Sequence, residues 1–383
     1  MYLQKELYNG VNLKDQTKVF PTEGGTAAIC YIFNSLKENK LIKEGDKIAI
    51  NTPIFTPYLQ IPELNDYEMV EVDLRSKEEN KWSMSVDELS KLEDKSVKAL
   101  FLVNPSNPGS KALDKQTLDA IAKIVEKRKD LIIITDDVYG TFVNEFQTVY
   151  SVAPHNTLLV YSFSKLYGST GWRIGLIAVN EDNVFDRLIG NLKEEEREML
   201  DKRYGLVTLN PRELKFIDRL VADSRSIGLY HTSGLSTPQQ VMMALFASTA
   251  ILTKEKDPYI EASKKLVGAR YHDLFSTIGI DEDNSRENAK YYSIIDVYSL
   301  AEKHYDTKFK EYLQKEFEPI DFLLKLAEKN GVVLMEGVGF GAKPGTLRVS
   351  EANLPNEAYK KIGEQVLELI SEYYSDYKEK YNL

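Results

Sequence analysis

The amino-acid sequence predicts an α/β protein with a mostly parallel central sheet, one antiparallel strand, flanking helices and a smaller C-terminal α+β domain. Between about residues 22 and 180, short apolar runs alternate with longer segments of helical periodicity. Near-continuous apolar strands separated by helices are typical of a parallel sheet covered on both faces. The runs at 157–164 and 175–180 are too close for a parallel crossover, so one antiparallel neighbour is expected there.

The elements follow in chain order. The predicted strands of the central sheet are 47–50, 69–74, 97–104, 131–139, 157–164 and 175–180. Residues 115–129 form an amphipathic helical pattern, and charged helical patterns across 181–226 predict a solvated helical insertion. After about residue 257, a long helix precedes apolar runs at 291–298, 331–337 and 346–350. The predicted organisation is therefore an N-terminal remnant (1–21), a large domain (22–256) and a small domain (257–383).

Composition excludes several classes of function. The net charge of −10 argues against nucleic acids and anionic membranes as partners. The sequence contains no apolar run long enough to span a membrane, and its first residues lack signal-peptide features. The single cysteine, Cys30, excludes an internal disulfide and favours a reducing, cytoplasmic environment. The four histidines are scattered, so no metal site is expected.

The segment TEGGTAA, residues 22–28, predicts an anion-binding turn. Gly24, Gly25 and Thr26 open an amphipathic helix, so free N–H groups, a hydroxyl and the positive end of the helix dipole face outward together. An ordinary glycine-rich helix start is the alternative interpretation.

Other polar or aromatic groups follow the predicted strands, at the edge where open parallel sheets bind ligands. Phe55 follows the first of these strands, and Asn107 lies in the turn NPSNP. Asp136 ends a strand and precedes Tyr139. A carboxylate at the end of an apolar strand is costly unless it faces a cation, so a functional partner is favoured over structural pairing.

The stretch VYSFSKLYGSTGWRIGLIAV, residues 160–179, supplies the remaining groups. Ser162 and Arg173 are phosphate-type ligands, and Lys165 is a candidate nucleophilic amine. Each residue alone has a simpler explanation. Together, an anion cradle, a carboxylate, a phenol with an amide, and an imine-forming lysine suit pyridoxal 5′-phosphate.

These motifs resemble the class I aminotransferases, a fold type I family of pyridoxal phosphate enzymes. SFSKLYGSTGWRIG matches the lysine signature of that family, and NPSNP, DDVY and GTLRVSEANL occur in the family's order. The resemblance implies that Lys165 forms the imine with the cofactor and that Asp136 pairs with the pyridine nitrogen. It assigns the ring hydroxyl to Tyr139 and Asn107, with Asn107 also near the substrate. Stacking is assigned to Phe55, the phosphate to Gly25, Thr26, Ser162 and Arg173, and the substrate α-carboxylate to Arg348.

Within the family, PIFTPYLQIPEL, FLVNPSNPGSKAL and the inserted helices resemble the aspartate 4-decarboxylases. That resemblance implies conversion of L-aspartate to L-alanine and CO2, together with transamination between aspartate and a 2-oxo acid. Arg225 is the candidate contact for the β-carboxylate, with a surface arginine as the alternative. A plain aspartate or aromatic aminotransferase and an inactive cofactor-binding fragment remain open.

The start of the chain departs from the family pattern. The phosphate-binding turn begins only some twenty residues after Met1, whereas the family has a longer preceding portion that contributes to the small domain and to subunit contacts. An N-terminally truncated chain is therefore expected. The resemblance also implies a homodimer or a larger homo-oligomer.

Overall fold

The computed structural model describes residues 1–61, 69–225, 234–253, 256–316 and 318–382. Its larger sheet has seven strands in the spatial order β1-β7-β6-β5-β4-β2-β3. These strands are β1 (Thr17–Thr22), β2 (Lys47–Thr52), β3 (Val70–Arg75), β4 (Val97–Val103), β5 (Ile132–Asp136), β6 (Thr157–Ser162) and β7 (Gly175–Asn180).

The pairing of these strands confirms the predicted fold class. Strands β2 to β6 are parallel to their neighbours, whereas β7 runs antiparallel to β6, as the short connection predicts. Strand β1, which was not predicted, adds a second antiparallel pair on the outer side of β7. It is an edge strand that contains Pro21, and an edge is where a sheet tolerates proline.

Helices cover both faces of this sheet and also build the second half of the chain. They are α1 (Tyr2–Glu6), α2 (Gly24–Glu38), α3 (Thr56–Leu59), α4 (Lys115–Lys127), α5 (Val149–Val152), α6 (Val184–Gly190), α7 (Glu194–Tyr204), α8 (Phe216–Arg225), α9 (Thr237–Leu252), α10 (Pro258–Ile278), α11 (Val297–His304), α12 (Thr307–Glu316), α13 (Pro319–Asn330) and α14 (Asn356–Tyr381). Among the described residues, none of these helices combines the length and apolar character that a membrane crossing requires.

Alternating side chains of the central strands fill two cores. In β4, Phe101 packs into the cluster beneath α2, whereas Leu100 and Leu102 face the opposite cluster beneath α4. Because successive side chains of a strand point to opposite faces, a strand covered on both sides reads as a continuous apolar run. This burial explains why the central strands could be identified from sequence.

The segment predicted as a solvated insertion contains α6, α7 and α8, and it is anchored by a buried polar cluster. Asp223 of α8 accepts hydrogen bonds from Ser35 Oγ of α2 at 2.6 Å and from the Tyr204 hydroxyl of α7 at 2.8 Å. The inserted helices are therefore fixed to the back of α2, whose N-terminus reaches the candidate site.

A second, three-stranded sheet has the order β8-β10-β9, with β8 (Tyr292–Asp296), β9 (Met335–Glu336) and β10 (Thr346–Ser350). Both pairings are antiparallel, and α10 packs along α14 behind them. Backbone hydrogen bonds join this part to the larger sheet, including Ile54 N–H to the Phe340 carbonyl at 2.9 Å. The predicted boundaries at residues 21 and 256 stay predictions.

Candidate active site

A cavity of about 140 Å³ lies at the carboxyl ends of β4, β5 and β6. Nine of the residues predicted from sequence line it: Gly25, Thr26, Phe55, Asn107, Asp136, Tyr139, Ser162, Lys165 and Arg173. They come from five separate stretches of the chain. Parallel strands bring these stretches together because their carboxyl ends meet at one edge of the sheet.

One end of the cavity is suited to a phosphate. Helix α2 begins at Gly24, and its first turn contains no acidic residue, so its N–H groups and dipole favour an anion. The Arg173 guanidinium packs directly against Gly24, where a Cβ atom would collide with it. Gly24 also has φ +84°, a conformation that glycine adopts without strain.

Strand pairing places Ser162 beside this cradle. The Ser162 hydroxyl donates to the Ile174 carbonyl at 3.0 Å and lies 2.9 Å from the Ser164 hydroxyl. Gly175, which pairs with Ser162 and with Thr22, approaches the Gly24 backbone so closely that no larger side chain fits. The close contact of β1, β6 and β7 therefore brings Ser162 next to the start of α2.

The other end of the cavity contains Asp136, the last residue of β5. Its buried carboxylate accepts hydrogen bonds from the Tyr58 hydroxyl at 2.9 Å and from the Val138 N–H at 3.3 Å. Burial raises the pKa of Asp136 to about 6, although the Tyr58 and Val138 hydrogen bonds and the Lys165 charge act in the opposite direction. A nearby ring cation would favour the ionised carboxylate.

The neighbouring carboxylate, Asp137, is held by a residue of the larger sheet. Its carboxylate accepts a hydrogen bond from the Thr135 hydroxyl of β5, and burial raises its pKa to about 7. Asp137 is absent from the cavity lining. Of the two adjacent carboxylates, the structure therefore brings only Asp136 to the site.

Lys165 follows β6 and reaches the cavity between these groups. Its amine makes no hydrogen bond or ion pair with any residue that the structure describes, and it is close enough to Asp136 to affect the pKa of that carboxyl. Phe55, just before α3, presents its ring to the same cavity and contacts the Tyr58 ring edge-on, with 5.3 Å between centroids. An amine and an aromatic platform are thus available to one planar ligand.

The hydrogen bonds of Asn107 connect two further predicted residues. Asn107 Nδ2 donates to the Tyr139 hydroxyl at 3.3 Å, and Arg348 Nη1 donates to Asn107 Oδ1 at 3.4 Å. The Arg348 guanidinium lies 4.5 Å from the Tyr292 ring centroid and 4.7 Å from that of Phe340. Within the described part of the chain, Arg348 Nε has no hydrogen-bond partner.

Neither Arg348 nor Arg173 makes an ion pair with a carboxylate of the described residues. Arg173 lines the cavity, whereas Arg348 is not among its lining residues and is joined to it through Asn107. A guanidinium without an acidic partner can bind an anionic group of a ligand in a two-pronged geometry. The structure thus leaves both predicted anion-binding arginines available.

Arg225 differs from the other predicted residues. It is the exposed last residue of α8 and does not line the cavity. The segment that follows it, 226–233, lies outside the described residues, as do residues 62–64 of the PIFTPYLQIPEL motif. Its predicted contact with the β-carboxylate stays a prediction.

Sequence reasoning missed Tyr58 and Tyr292, which both line the cavity. Tyr58 is three residues after Phe55, a spacing that places both on one side of a helical turn. That spacing is a signal that could have identified it. Tyr292 lies in an apolar run that indicated only a strand, so nothing in its local sequence distinguished it.

The side chains present fit pyridoxal phosphate. The glycine-rich helix start, Ser162 and Arg173 suit its phosphate, Asp136 suits a protonated ring nitrogen, and Lys165 suits its aldehyde. Among the described residues, no group of three or more histidine, cysteine or acidic side chains is arranged to hold a metal ion.

Comparisons with known proteins agree with this arrangement. The family model for aminotransferase class I and II matches residues 3–366. The chain is 45% identical over 378 residues to the bifunctional aspartate aminotransferase and L-aspartate beta-decarboxylase of a Pseudomonas species, which covers 98% of this chain and 71% of that protein. It is 37% identical over 142 residues to an aspartate aminotransferase of Pyrococcus abyssi, 36% of each chain.

Solved structures show the same fold at lower identity. An alanine aminotransferase from Pyrococcus furiosus aligns with a TM-score of 0.67 at 22% identity, over 97% of this chain and 80% of that one. Cystalysin from Treponema denticola, which contains a pyridoxal 5′-phosphate cofactor, aligns with a TM-score of 0.68 at 18% identity over the same shares of the two chains.

Proposed function

This chain belongs to the class I and II aminotransferases, whose cofactor is pyridoxal 5′-phosphate, and we propose that it acts on L-aspartate in two ways. In the first, the amino group of aspartate is transferred to a 2-oxo acid such as 2-oxoglutarate. In the second, aspartate loses its β-carboxylate as CO2 and gives L-alanine.

The observation that carries the transfer reaction is that Arg348 contacts Asn107, which lines the same cavity as Lys165. Lys165 and Asp136 line one cavity with Asn107, and Asn107 receives a hydrogen bond from Arg348 at 3.4 Å. A carboxylate held by Arg348 therefore lies beside the groups that suit the cofactor. This arrangement is what an α-amino acid requires if its Cα is to reach the reacting centre.

The cofactor, when bound, supplies an electron-withdrawing ring that stabilises negative charge formed at Cα. Asp136, supported by the Tyr58 hydroxyl, is the negative partner for the ring nitrogen. We assign the ring oxygen to Tyr139 and Asn107, and the phosphate to the α2 N-terminus, Ser162 and Arg173. These residues all line the cavity.

The substrate is oriented and deprotonated by two basic side chains. Arg348 binds the α-carboxylate through its guanidinium fork. The Lys165 Nζ atom removes the Cα proton as a general base and later returns it. In the second reaction the bond between Cβ and the β-carboxylate breaks, CO2 leaves, and Cβ gains a proton to become the methyl group of alanine.

The second reaction is supported by the relative that is 45% identical over 98% of this chain, whose name includes both activities. Arg225 remains the proposed contact for the β-carboxylate. A plain aspartate or aromatic aminotransferase is the first alternative, and an inactive cofactor-binding chain is the second.

The experiment incubates the purified holoprotein with L-aspartate, with and without 2-oxoglutarate, and measures CO2, alanine and oxaloacetate. Release of CO2 and alanine supports the proposal. If only oxaloacetate forms, and only with the oxo acid present, decarboxylation is refuted and transamination stands. If the protein binds the cofactor but forms no product from aspartate or from aromatic amino acids, the inactive alternative holds.

Lys165→Ala tests the lysine assignment in the same assay. This variant should lose both activities, and borohydride treatment of the protein loaded with cofactor should no longer attach the cofactor covalently. Lys264→Ala is the matched control, because the Lys264 amine pairs with Glu261 and does not line the cavity. Covalent attachment that persists in Lys165→Ala would refute the assignment.

We also propose the homodimeric or larger assembly, the cytoplasmic location and the two-domain division that the sequence predicts. Light scattering on the purified chain measures the assembly directly. A monomeric mass across the concentrations used for the activity assay would contradict it.

A further inference from the structure

We propose that Tyr292 is a positioning residue that links the two halves of the site, its hydroxyl supporting Tyr139 and its ring supporting Arg348. This inference deepens the proposed function and rests on it for the role of Arg348 as the carboxylate-binding group.

Tyr292 is held in place by its own backbone. It is the first residue of β8, it is buried, and its N–H donates to the Ser110 hydroxyl at 2.7 Å. Ser110 belongs to the turn that carries Asn107. Tyr292 therefore comes from the smaller sheet but is anchored to a loop of the larger one, and its side chain lines the cavity.

The hydroxyl of Tyr292 lies 3.1 Å from the hydroxyl of Tyr139. Tyr139 also receives a hydrogen bond from Asn107 Nδ2 at 3.3 Å. A phenol has one proton to donate and two lone pairs to accept. When Tyr139 donates its proton to a ligand oxygen in the cavity, Tyr292 is left to donate to Tyr139.

A donated hydrogen bond polarises the accepting hydroxyl and makes it a stronger donor in its turn. Tyr292 thereby strengthens the hydrogen bond from Tyr139 to the charged ring oxygen of the cofactor. Burial raises the pKa of Tyr139 well above its ordinary value, so Tyr139 stays a proton donor across the physiological range.

The ring of Tyr292 contacts the other half of the site. The Arg348 guanidinium lies 4.5 Å from the ring centroid, within the range of a cation–π interaction. Arg348 makes no ion pair among the described residues. Its guanidinium is oriented by the Tyr292 and Phe340 rings, by the hydrogen bond to Asn107 and by a hydrogen bond to Met335 Sδ at 2.8 Å. The hydroxyl and the ring can therefore be tested separately.

The first test compares Tyr292→Phe with Tyr139→Phe in the full-length holoprotein, by titrating the visible absorption band of the bound cofactor with pH. The Tyr139 hydrogen bond stabilises negative charge on the cofactor oxygen, so weakening it raises the pH midpoint of the band. Tyr292→Phe should raise this midpoint by about 0.3 to 1 pH unit, in the same direction as Tyr139→Phe and by less.

The matched control is Tyr291→Phe. Tyr291 is the adjacent tyrosine, its ring lies 5.0 Å from that of Tyr139, and its hydroxyl makes no hydrogen bond with a described residue. This variant should titrate like the wild type. A wild-type midpoint in Tyr292→Phe, or an equal shift in Tyr291→Phe, would overturn the role of the hydroxyl.

The second test concerns the ring and measures the dissociation constant of maleate, a dicarboxylate without an amino group. Tyr292→Leu, which removes the ring, should weaken maleate binding about threefold to tenfold, whereas Tyr292→Phe should change it less than about twofold. Equal effects of the two substitutions would refute the role of the ring.

The proposed function and the inference about Tyr292 can be refuted separately. If the wild-type protein binds its cofactor but does not act on aspartate, the proposed function is refuted while the absorption titration still decides the role of the Tyr292 hydroxyl. If aspartate is consumed and Tyr292→Phe titrates as the wild type, only the inference about the hydroxyl is refuted.

Discussion

Replacing Tyr58 with phenylalanine tests how the protein keeps Asp136 ionised. The substitution removes the hydroxyl that donates to Asp136 Oδ2 at 2.9 Å and leaves the ring in its packing against Phe55 and Phe101. The Val138 N–H then remains as the hydrogen-bond donor to a buried carboxylate. That carboxyl already has a raised pKa, of about 6, so losing a hydrogen-bond donor would move its pKa towards about 7 and leave much of it protonated at neutral pH.

The size of the effect follows from the energy of one hydrogen bond. A hydrogen bond to a charged group stabilises it by about 1.5 kcal/mol at the low end, and about 1.4 kcal/mol corresponds to one pH unit. The pKa of Asp136 should therefore rise by about one pH unit in Tyr58→Phe. At pH 7 the ionised fraction of this carboxyl falls from about 90% to about 50%, and at pH 6 from about 50% to about 10%.

The assay measures the affinity of the cofactor for the apoprotein as a function of pH. If an ionised Asp136 pairs with the ring nitrogen as proposed, the affinity of Tyr58→Phe should be about twofold below wild type at pH 7 and about fivefold below it at pH 6. Above about pH 8 the two proteins should converge. Tyr150→Phe, a buried tyrosine that lies 3.1 Å from Thr17, is the control for general destabilisation.

The decisive result is how the ratio of the two cofactor affinities, wild type over Tyr58→Phe, changes with pH. A constant loss of affinity at every pH would indicate a packing defect, and unchanged affinity at pH 6 would show that the Tyr58 hydrogen bond does not maintain the charge of Asp136. Either outcome would refute the reasoning.

Three further substitutions test other parts of the site and the fold. Arg348→Lys should raise the KM for aspartate at least about tenfold without altering the cofactor absorption band, because an ammonium cannot reproduce the two-pronged guanidinium contact. Steady-state kinetics measure the KM, and an unchanged value would contradict the carboxylate assignment. Gly24→Ala should weaken cofactor binding at least about tenfold, because the added Cβ would collide with the Arg173 guanidinium and because the backbone φ of +84° is strained for alanine. Equilibrium titration measures the affinity for the cofactor, and a wild-type affinity would refute the phosphate cradle. Glu351 is buried and its pKa is raised to about 8 by burial, so it binds its proton more tightly in the folded chain. Stability should therefore fall as pH rises from about 4.5 to about 8, and Glu351→Gln should flatten that fall in urea unfolding; an equally steep fall in the variant would contradict it.

Local sequence was sufficient for residues that the site takes from single short motifs. Ser162, Lys165 and Arg173 come from one stretch around β6 and β7, and Gly24 to Thr26 open one helix. Their chemistry is recognisable because hydroxyls, an amine and a guanidinium have no use in an apolar strand. The central strands were predicted for a related reason, since burial on both faces leaves them continuously apolar.

Long-range contacts were not predictable in the same way. Tyr58 and Asp136 are 78 residues apart, and Tyr139 and Tyr292 are 153 residues apart. A tyrosine in a buried element has the same local sequence whether its hydroxyl meets a catalytic group or a core neighbour. Strand β1 was missed because its six residues include Pro21 and two exposed positions, which do not form a buried-strand pattern.

The sequence by itself determined the family, the cofactor and the chemical groups that the cofactor needs, because these depend on residue types at short spacings. Only the tertiary structure decided that Arg348 makes no ion pair within the described chain, and that the hydroxyls of Tyr58 and Tyr292 meet Asp136 and Tyr139. Those properties depend on distances between side chains from different strands and helices. Such distances are set by the packing of the two sheets and not by any one segment of the chain.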